Sequence, residues 1–379
     1  MATLFWSAVV FIAYAYLGYP LLLMLLSLIK SRPVKKADVT PYVSFIVTAH
    51  NEAARMREKL ENTIALEYPR TRLEIIVASD CSTDGTDAIV QSYESRGVRL
   101  VRAAQRNGKE AAQKLAVQAA SGEILIFSDV ATILESNTIR NIVKNFADPT
   151  VGCVSSVDKI IDAAGRLSGE GAYVKYEMLL RDLETRANTL VGLSGSFFAA
   201  RRAVCQNWQP ELQSDFNTLL NAVHIGLRGV SDPESVGYYK TIADETKEYE
   251  RKVRTVLRGI AVFMKSLPML NPFRYGLFSW QLFSHKLCRW LVPFAMVGVF
   301  FCNATLIYSS PFYLSLFVLQ CAGYGVALQA IWRNRFSENP FLKLPTYLVI
   351  VNLSILDAWC RYCGGERVVR WNPSQREAS

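Results

Sequence analysis

From Leu4 to Ile29 the chain has no charged residue, and no Lys or Arg precedes that run. At about 1.5 Å rise per residue, an uncharged helix of this length crosses a hydrocarbon core of roughly 30 Å. A cleaved leader starts with basic residues and has a shorter apolar core. The pattern therefore favours a retained membrane helix over residues 1–32. Lys30, Arg32, Lys35 and Lys36 follow at once. Basic residues mark the cytoplasmic flank of a span, which puts the N-terminus outside and residue 30 onward in the cytoplasm.

Other absences narrow the chemistry. No G-x-G-x-x-G follows the first β-rich run, and there is no P-loop lysine signature. Dehydrogenase and ATPase readings are disfavoured accordingly. No recognised nucleic-acid motif is present, so no nucleic-acid partner is expected. The net charge of +9 then has two readings: basic loops beside anionic lipid, or a site for a diphosphate or other polyanion. Cys360-x-x-Cys363 has no second pair and no nearby His, and reads as ordinary cysteines near a membrane segment. A cytoplasmic domain keeps such thiols reduced. No internal repeat or low-complexity tract stands out.

What is present is an α/β pattern. After a basic, proline-containing linker (residues 30–42), short strand-like runs alternate with helical ones. The strands are VSFIVT (43–48), LEIIVAS (73–79), VRLV (98–101) and EILIFSD (123–129). This order predicts βαβ units and a Rossmann-like, mixed but mostly parallel sheet. Ligands of such sheets bind beyond the C-terminal strand ends. That rule brings Thr48–Glu52, Ser79–Thr86 and Ser128–Thr132 to one mouth. Further on, 151–157 and 190–200 read as strands and 170–187 as a helix.

Residues 247–264 are amphipathic, with Val253, Val256, Leu257, Ile260 and Met264 on one helical face and Arg251, Arg254 and Arg258 on another. Residues 266–290 mix Pro, aromatics and basic groups and read as interfacial. Three apolar stretches follow, at about 291–308, 312–332 and 345–362. The expected layout is thus 1–32, a catalytic domain over 40–246, interfacial helices over 247–290 and a membrane region with basic tail over 291–379. Four crossings would leave the tail outside, yet Arg361, Arg367, Arg370 and Arg376 argue for inside. Asn352 and Asp357 in the last stretch open a second reading, re-entrant or interfacial.

The strand-end acids carry the functional question. An Asp after a strand either caps the next helix or accepts from a ligand. Asp84, in TDGTDA, suits the cap; Asp80 is less easily explained that way. Asp129 ends the fourth strand, where a carboxylate suits Mg²⁺ or Mn²⁺ bridging phosphates.

In this order and spacing, FIVTAHNE, IIVASDCSTDGT, RNGKEAAQKLA and GEILIFSDVAT resemble the family 2 glycosyltransferases of GT-A fold. In style they are similar to the membrane-embedded synthases of hyaluronan, cellulose and poly-N-acetylglucosamine. The resemblance covers about residues 43–265. It implies an inverting transfer from a UDP-sugar to a growing polysaccharide or a polyprenyl-linked acceptor, at the inner membrane, in exopolysaccharide or capsule synthesis. It implies that Ala49, Asn51 and Glu52 line the nucleotide pocket, that Asp80 contacts the base, and that Lys109 sits near the phosphates. Asp129 begins the family's D-x-D and would hold Mg²⁺ or Mn²⁺, but residue 131 is Ala. Gly195 and Ser196 fall in the small-residue segment beneath the acceptor; the alternative is a core strand needing small residues.

Asp215, in LQSDFN, stands where the family keeps its catalytic acid, and would act as general base. Its other reading is a helix cap. Arg251 and Arg254, in ERKVRT, fall where processive synthases carry Q-x-x-R-W, with Thr255 replacing Trp. Either they grip a diphosphate or they face lipid headgroups. Two alternatives remain from these departures: a single-addition polyprenyl-linked transferase, or a non-catalytic membrane partner with a degenerate transferase domain. A homo-oligomer or an export partner would supply a channel that few helices cannot.

Overall fold

A computed structural model describes residues 1–161, 172–240, 245–332 and 340–368. The chain divides into two compact units. One comprises Met1–Leu26 and Asp244–Arg367; the other is chiefly Ser27–Ala243.

The first unit is helical. Its members are α1 (Ala2–Ile29), which precedes the sheet domain in the chain, and the helices that follow that domain. Among the described residues, three helices are long and apolar enough to cross a membrane: α1, Leu277–Leu306 and Pro311–Gln329. Two polar ties link α1 to the second of these. The Tyr14 and Ser284 hydroxyls lie 2.7 Å apart, and Trp280 Nε1 donates to the Tyr14 hydroxyl at 3.0 Å. Tyr14 and Ser284 lie in one-turn π-helical segments, Tyr14–Gly18 and Phe283–Cys288, where the backbone ladder is locally loosened.

The second unit is one eight-stranded sheet in the order β3-β2-β1-β4-β7-β6-β8-β5. The strands are β1 (Val43–Ala49), β2 (Leu73–Ser79), β3 (Val98–Arg102), β4 (Ile124–Asp129), β5 (Ile133–Leu134), β6 (Val151–Ile161), β7 (Phe197–Arg201) and β8 (Arg228–Lys240). The helices of this unit are α2 (Ala53–Ile64), α3 (Thr86–Gln91), α4 (Lys109–Ala119), α5 (Thr138–Lys144), α6 (Ala172–Ala187) and α7 (Ser214–His224). β1 is buried along its whole length, as expected for a central parallel strand covered on both faces. Its side chains alternate between two cores. Phe45 and Val47 join Met56, Leu60, Ile75, Val77, Ile139 and Ile142 on one face. Ile46 joins Ile76, Ala112, Ala116, Leu125, Phe127 and Leu219 on the other.

Parallel pairings join β1–β2, β1–β4, β2–β3 and β6–β8. Antiparallel pairings join β4–β7, β6–β7 and β5–β8. The sheet is mixed and mostly parallel, as the alternating pattern predicts. One consequence lay outside the sequence pattern. Because β7 is antiparallel to both β4 and β6, β6 runs in the same direction as β4. The mouth therefore receives the C-terminal ends of β1, β2, β4 and β6 and the N-terminal end of β7.

The segment 30–42, expected as a linker, is docked onto this domain. The Lys36 ammonium bonds the fully buried Asp232 at 2.7 Å. Arg32 N–H donates to the Arg186 carbonyl, and Arg228 donates to the Arg32 carbonyl, both at 2.8 Å. The cause is a set of buried polar groups, Asp232 and Arg228 among them, whose hydrogen bonding this segment helps to complete.

The helices after the sheet are α8 (Glu245–Lys265), α9 (Leu277–Leu306), α10 (Pro311–Trp332) and α11 (Pro340–Cys363). Part of the stretch expected to be interfacial, 277–290, is continuous with the apolar helix that follows it. The last apolar stretch lies within α11, which is not among the three candidate spans. Arg361 on α11 pairs with Asp357 at 2.9 Å and with Glu250 of α8 at 3.1 Å. Charged pairs of this kind belong at an interface rather than in hydrocarbon. Of the two readings of this stretch, the interfacial one agrees with these pairs. Arg370 and Arg376 of the tail lie outside the described residues.

Candidate active site

The site is built from loops that leave four strands. After β1, Asn51 adopts φ +51°, a left-handed conformation that Asn tolerates better than most residues. Its side-chain oxygen accepts from the Thr83 N–H at 2.8 Å, while its own N–H donates to Ser82 Oγ. The first two mouth loops are thus stitched together. Asp84 binds free N–H groups at the starts of two helices, as a cap would, although the residues flanking them are Gly85 and Glu52. It accepts from the Thr86 N–H and hydroxyl at the start of α3, and from the Ala53 N–H at the start of α2. Burial works against its ionisation, but these bonds outweigh it and lower its pKa.

Asp80 is 1% exposed. Its two carboxylate oxygens accept the N–H groups of Asn107 and Gly108, each at 2.9 Å. Its own N–H donates to the Ala49 carbonyl, and its carbonyl lies 2.7 Å from His50 Nδ1. Gly108 sits at φ +98°, ψ 168°, a region open essentially to glycine alone. Asp80 thereby fixes the turn that launches α4 and aims its first residue, Lys109.

The Lys109 ammonium reaches Asp129 Oδ1 at 2.5 Å and the Gly195 carbonyl at 2.9 Å. Asp129 N–H in turn donates to the Ser196 carbonyl at 2.9 Å, continuing the β4–β7 ladder. A Cβ placed on Gly195 would stand 2.8 Å from Asp215 Oδ2. The position therefore needs glycine, because the Asp215 carboxylate occupies that space. The acids expected to converge are joined in one chain: Asp80 to the 107–108 turn, Lys109 to Asp129 and Gly195, and Gly195 against Asp215.

Asp215 is nearly buried, at 9% exposure, in the first turn of α7. The residue flanking that helix is Gln213, so Asp215 is not its cap. Gln213 Nε2 donates to Asp215 Oδ2 at 3.1 Å and the Phe216 N–H to Oδ1 at 2.8 Å. A carboxylate here lies close to the positive end of the helix dipole.

Glu52 is 4% exposed and pairs with Arg55 at 2.7 Å. Burial raises its pKa, and the charges of Asp129 and Asp84 push the same way, against Arg55. Ala49 is fully buried and contributes its backbone. Arg251 and Arg254 lie on α8, in the other unit, and are not among the groups that the sheet gathers.

Two residues escaped the sequence reading. Asp158 lies one residue past the strand expected over 151–157. It accepts from the Ser194 and Ser196 hydroxyls, each at 2.6 Å, and so clamps the segment that carries Gly195. Finding it required knowing the direction of β6. The other is Lys59, fully buried on α2 behind the Asp129 turn. Burial brings its pKa down to about 7, against the pull of Asp129. Only an ammonium on an otherwise apolar helix face could have flagged it.

A divalent cation in such a site needs hard oxygen donors. Asp129 supplies one carboxylate, residue 131 is Ala, and Lys109 already takes one Asp129 oxygen. Among the described residues, no group of three or more His, Cys, Asp or Glu side chains is placed to hold a metal. The donor set fits a metal only as a bridge that draws most of its ligands from a bound diphosphate and water.

Comparison with known proteins agrees with this architecture. Residues 44–208 match the family model described as glycosyl transferase family 2. The match ends before Asp215. A β-monoglucosyldiacylglycerol synthase of Nostoc is 27% identical over 194 residues, 49% of this chain and 42% of that protein. A poly-β-1,6-N-acetyl-D-glucosamine synthase of Staphylococcus aureus is 26% identical over 175 residues, 45% of this chain and 42% of that protein. The aligned part is thus well under half the length of either relative. Among solved structures, the mannosyltransferase PcManGT of Pyrobaculum calidifontis, in complex with GDP-Man and Mn²⁺, superposes with a TM-score of 0.69 at 24% identity. That superposition covers 93% of this chain and 99% of the other, and establishes the GT-A fold.

Proposed function

We propose that this chain, which carries a family 2 glycosyltransferase domain, is an inverting transferase moving a sugar from a UDP-sugar to a lipid-linked or growing glycan. The observation that carries the reading is the meeting of Lys109, Asp129, Gly195 and Asp215 at one mouth. Asp215 is the general base. It takes the proton of the acceptor hydroxyl as that oxygen bonds to the anomeric carbon, while the bond to the diphosphate breaks and its electrons leave with the phosphate. Lys109 meets the phosphates with a charge-assisted bond. Asp80 sets the Lys109 turn and keeps spare lone pairs for the base; Asn51 and Glu52 border the same cleft with Ala49. Gly195 and Ser196 form the floor beneath the acceptor.

Where Mg²⁺ or Mn²⁺ binds, Asp129 would hold it, and the ion would neutralise charge on the leaving diphosphate. The acceptor is lipid-linked or polymeric, as the names of the two relatives illustrate. Thr255, whose hydroxyl donates to the Arg251 carbonyl at 2.8 Å, gives no aromatic platform for a long chain and favours short products. Three crossings would return the tail to the catalytic, cytoplasmic side of the inner membrane, in accord with its basic residues.

The test uses the full chain in detergent with a panel of UDP- and GDP-sugars, with and without Mn²⁺, and product sizing. Turnover of a UDP-sugar that Asp215→Asn abolishes, with UDP binding intact, supports the reading. UDP binding without turnover of any sugar would point to the non-catalytic partner instead.

A further inference from the structure

Gly195 meets two demands at once. Its carbonyl accepts from the Lys109 ammonium at 2.9 Å. Its α-carbon faces Asp215, whose Oδ2 stands 2.8 Å from where a Cβ would lie. One residue thus touches both the cation assigned to the diphosphate and the carboxylate assigned to the acceptor hydroxyl. Glycine is also the residue with the most backbone freedom. By itself it would not keep two partners in a fixed relation.

A ring of hydrogen bonds closed by Asp158 restrains it. Asp158 Oδ2 accepts from the Ser194 hydroxyl and Oδ1 from the Ser196 hydroxyl, each at 2.6 Å, the short length of a charge-assisted bond. A carboxylate only accepts, so both hydroxyl hydrogens are committed to it. Ser194 Oγ keeps its lone pairs for the Ser196 N–H, at 3.3 Å, and this bond closes the ring across Gly195. The ring is anchored to β6 and β4. The Ser194 N–H donates to Ser155 Oγ at 2.8 Å, the Ser156 hydroxyl to the Phe197 carbonyl at 2.6 Å, and the Asp129 N–H to the Ser196 carbonyl at 2.9 Å. An amide at position 158 would offer one acceptor oxygen instead of two. One of the two serines would then have to turn its hydrogen away.

We infer that Asp158 is a positioning residue for the transfer: by closing the ring it fixes Gly195, and so sets Asp215 relative to Lys109. It acts through Gly195 and touches neither the donor nor the reacting atoms. The inference rests on the roles proposed above for Lys109 and Asp215.

The experiment measures turnover, donor KM, UDP affinity by calorimetry and thermal midpoint on the full chain, for wild type, Asp158→Asn, Gly195→Ala and the double variant. In Asp158→Asn kcat should fall about thirtyfold, within the roughly hundredfold that a misplacement of about 1 Å can cost. Donor KM and UDP affinity should stay within about threefold of wild type, because ground-state binding is not what the ring controls. The double variant should lose little more than the worse single one, since both changes act on one spacing. A merely structural residue would lower the thermal midpoint and multiply the two losses. Multiplied losses would overturn the inference, as would a kcat for Asp158→Asn within about twofold of wild type, or a raised KM with kcat unchanged. Should Asp158→Asn fail to fold, Ser194→Ala opens the same ring and should lower kcat about tenfold with UDP affinity kept; a normal kcat there would overturn the inference. A wild type that turns over no UDP- or GDP-sugar would remove the transferase reading and this inference with it, a result told apart by the wild type alone.

Discussion

The two halves of the sheet contribute differently to the same mouth. The parallel half, β1 to β4, delivers Asn51, Asp80, Lys109 and Asp129, all in contiguous motifs. The half built from β6, β7 and β8 delivers Asp158, Ser194, Gly195 and Ser196, with Asp215 from the adjoining helix. In the first half the side chains are bonded to backbone turns and to a lysine, an arrangement that shapes an anion site. In the second half the Asp215 carboxylate stands against Gly195, in space that a side chain there would fill. In the function proposed above, donor binding and acceptor chemistry fall to separate pieces of chain, which meet where Lys109 bonds the Gly195 carbonyl and Asp129 N–H the Ser196 carbonyl.

That division can be broken by experiment. The largest effect is expected from Asp215→Asn, which should lower kcat by about a thousandfold, within the usual range for a lost general base. UDP affinity should stay near wild type; a matching fall in UDP affinity would erase the division. Lys109→Met should do the reverse, weakening UDP by about thirtyfold through loss of a charge-assisted contact, as read by the same titration. Gly195→Ala lies on the boundary. Its Cβ must displace Asp215 Oδ2 from 2.8 Å, so kcat should drop about tenfold with a normal circular-dichroism spectrum, on the scale of a mispositioned catalytic group. Unchanged kcat would mean that the Asp215 carboxylate is free to move.

The smallest effect is away from the mouth. Burial raises the Asp148 carboxyl, but bonds from Thr150, the Lys35 N–H and Arg228 outweigh it and bring it down to about 2. A depressed pKa contributes stability that is present above the ordinary carboxylate pKa and is lost as pH falls from about 4 toward 2. Asp148→Asn should therefore lower the thermal midpoint at pH 7 and flatten its dependence between pH 4 and pH 2. UDP-sugar turnover at neutral pH should not change.

Much of this was legible in the residue order. Alternating strands and helices announced the sheet, and the rule that ligands bind beyond the C-terminal strand ends gathered Asn51, Asp80 and Asp129. The place of Asp84 at a helix start followed from TDGTDA, which opens one. Asp158 was not legible, because a strand pattern has no arrow and the use of its C-terminal end depends on β7 running antiparallel. Lys59 was hidden for another reason: on a helix, burial of one cation among polar neighbours is set by what packs over it. Helix α11 was ambiguous by composition, and the Arg361 pairs with Asp357 and Glu250 depend on where α8 lies.

The residue order by itself determined the membrane-length apolar helices, the α/β class and the polar loops that must lie at one sheet edge, because periodicity, uncharged length and strand-end position are local properties. Only the tertiary structure decided which of those groups touch. Lys109 on Asp129, Asp215 against Gly195 and Lys59 behind the turn join residues 20 to 73 positions apart, and such contacts arise from how strands and helices pack on one another rather than from any stretch of chain alone.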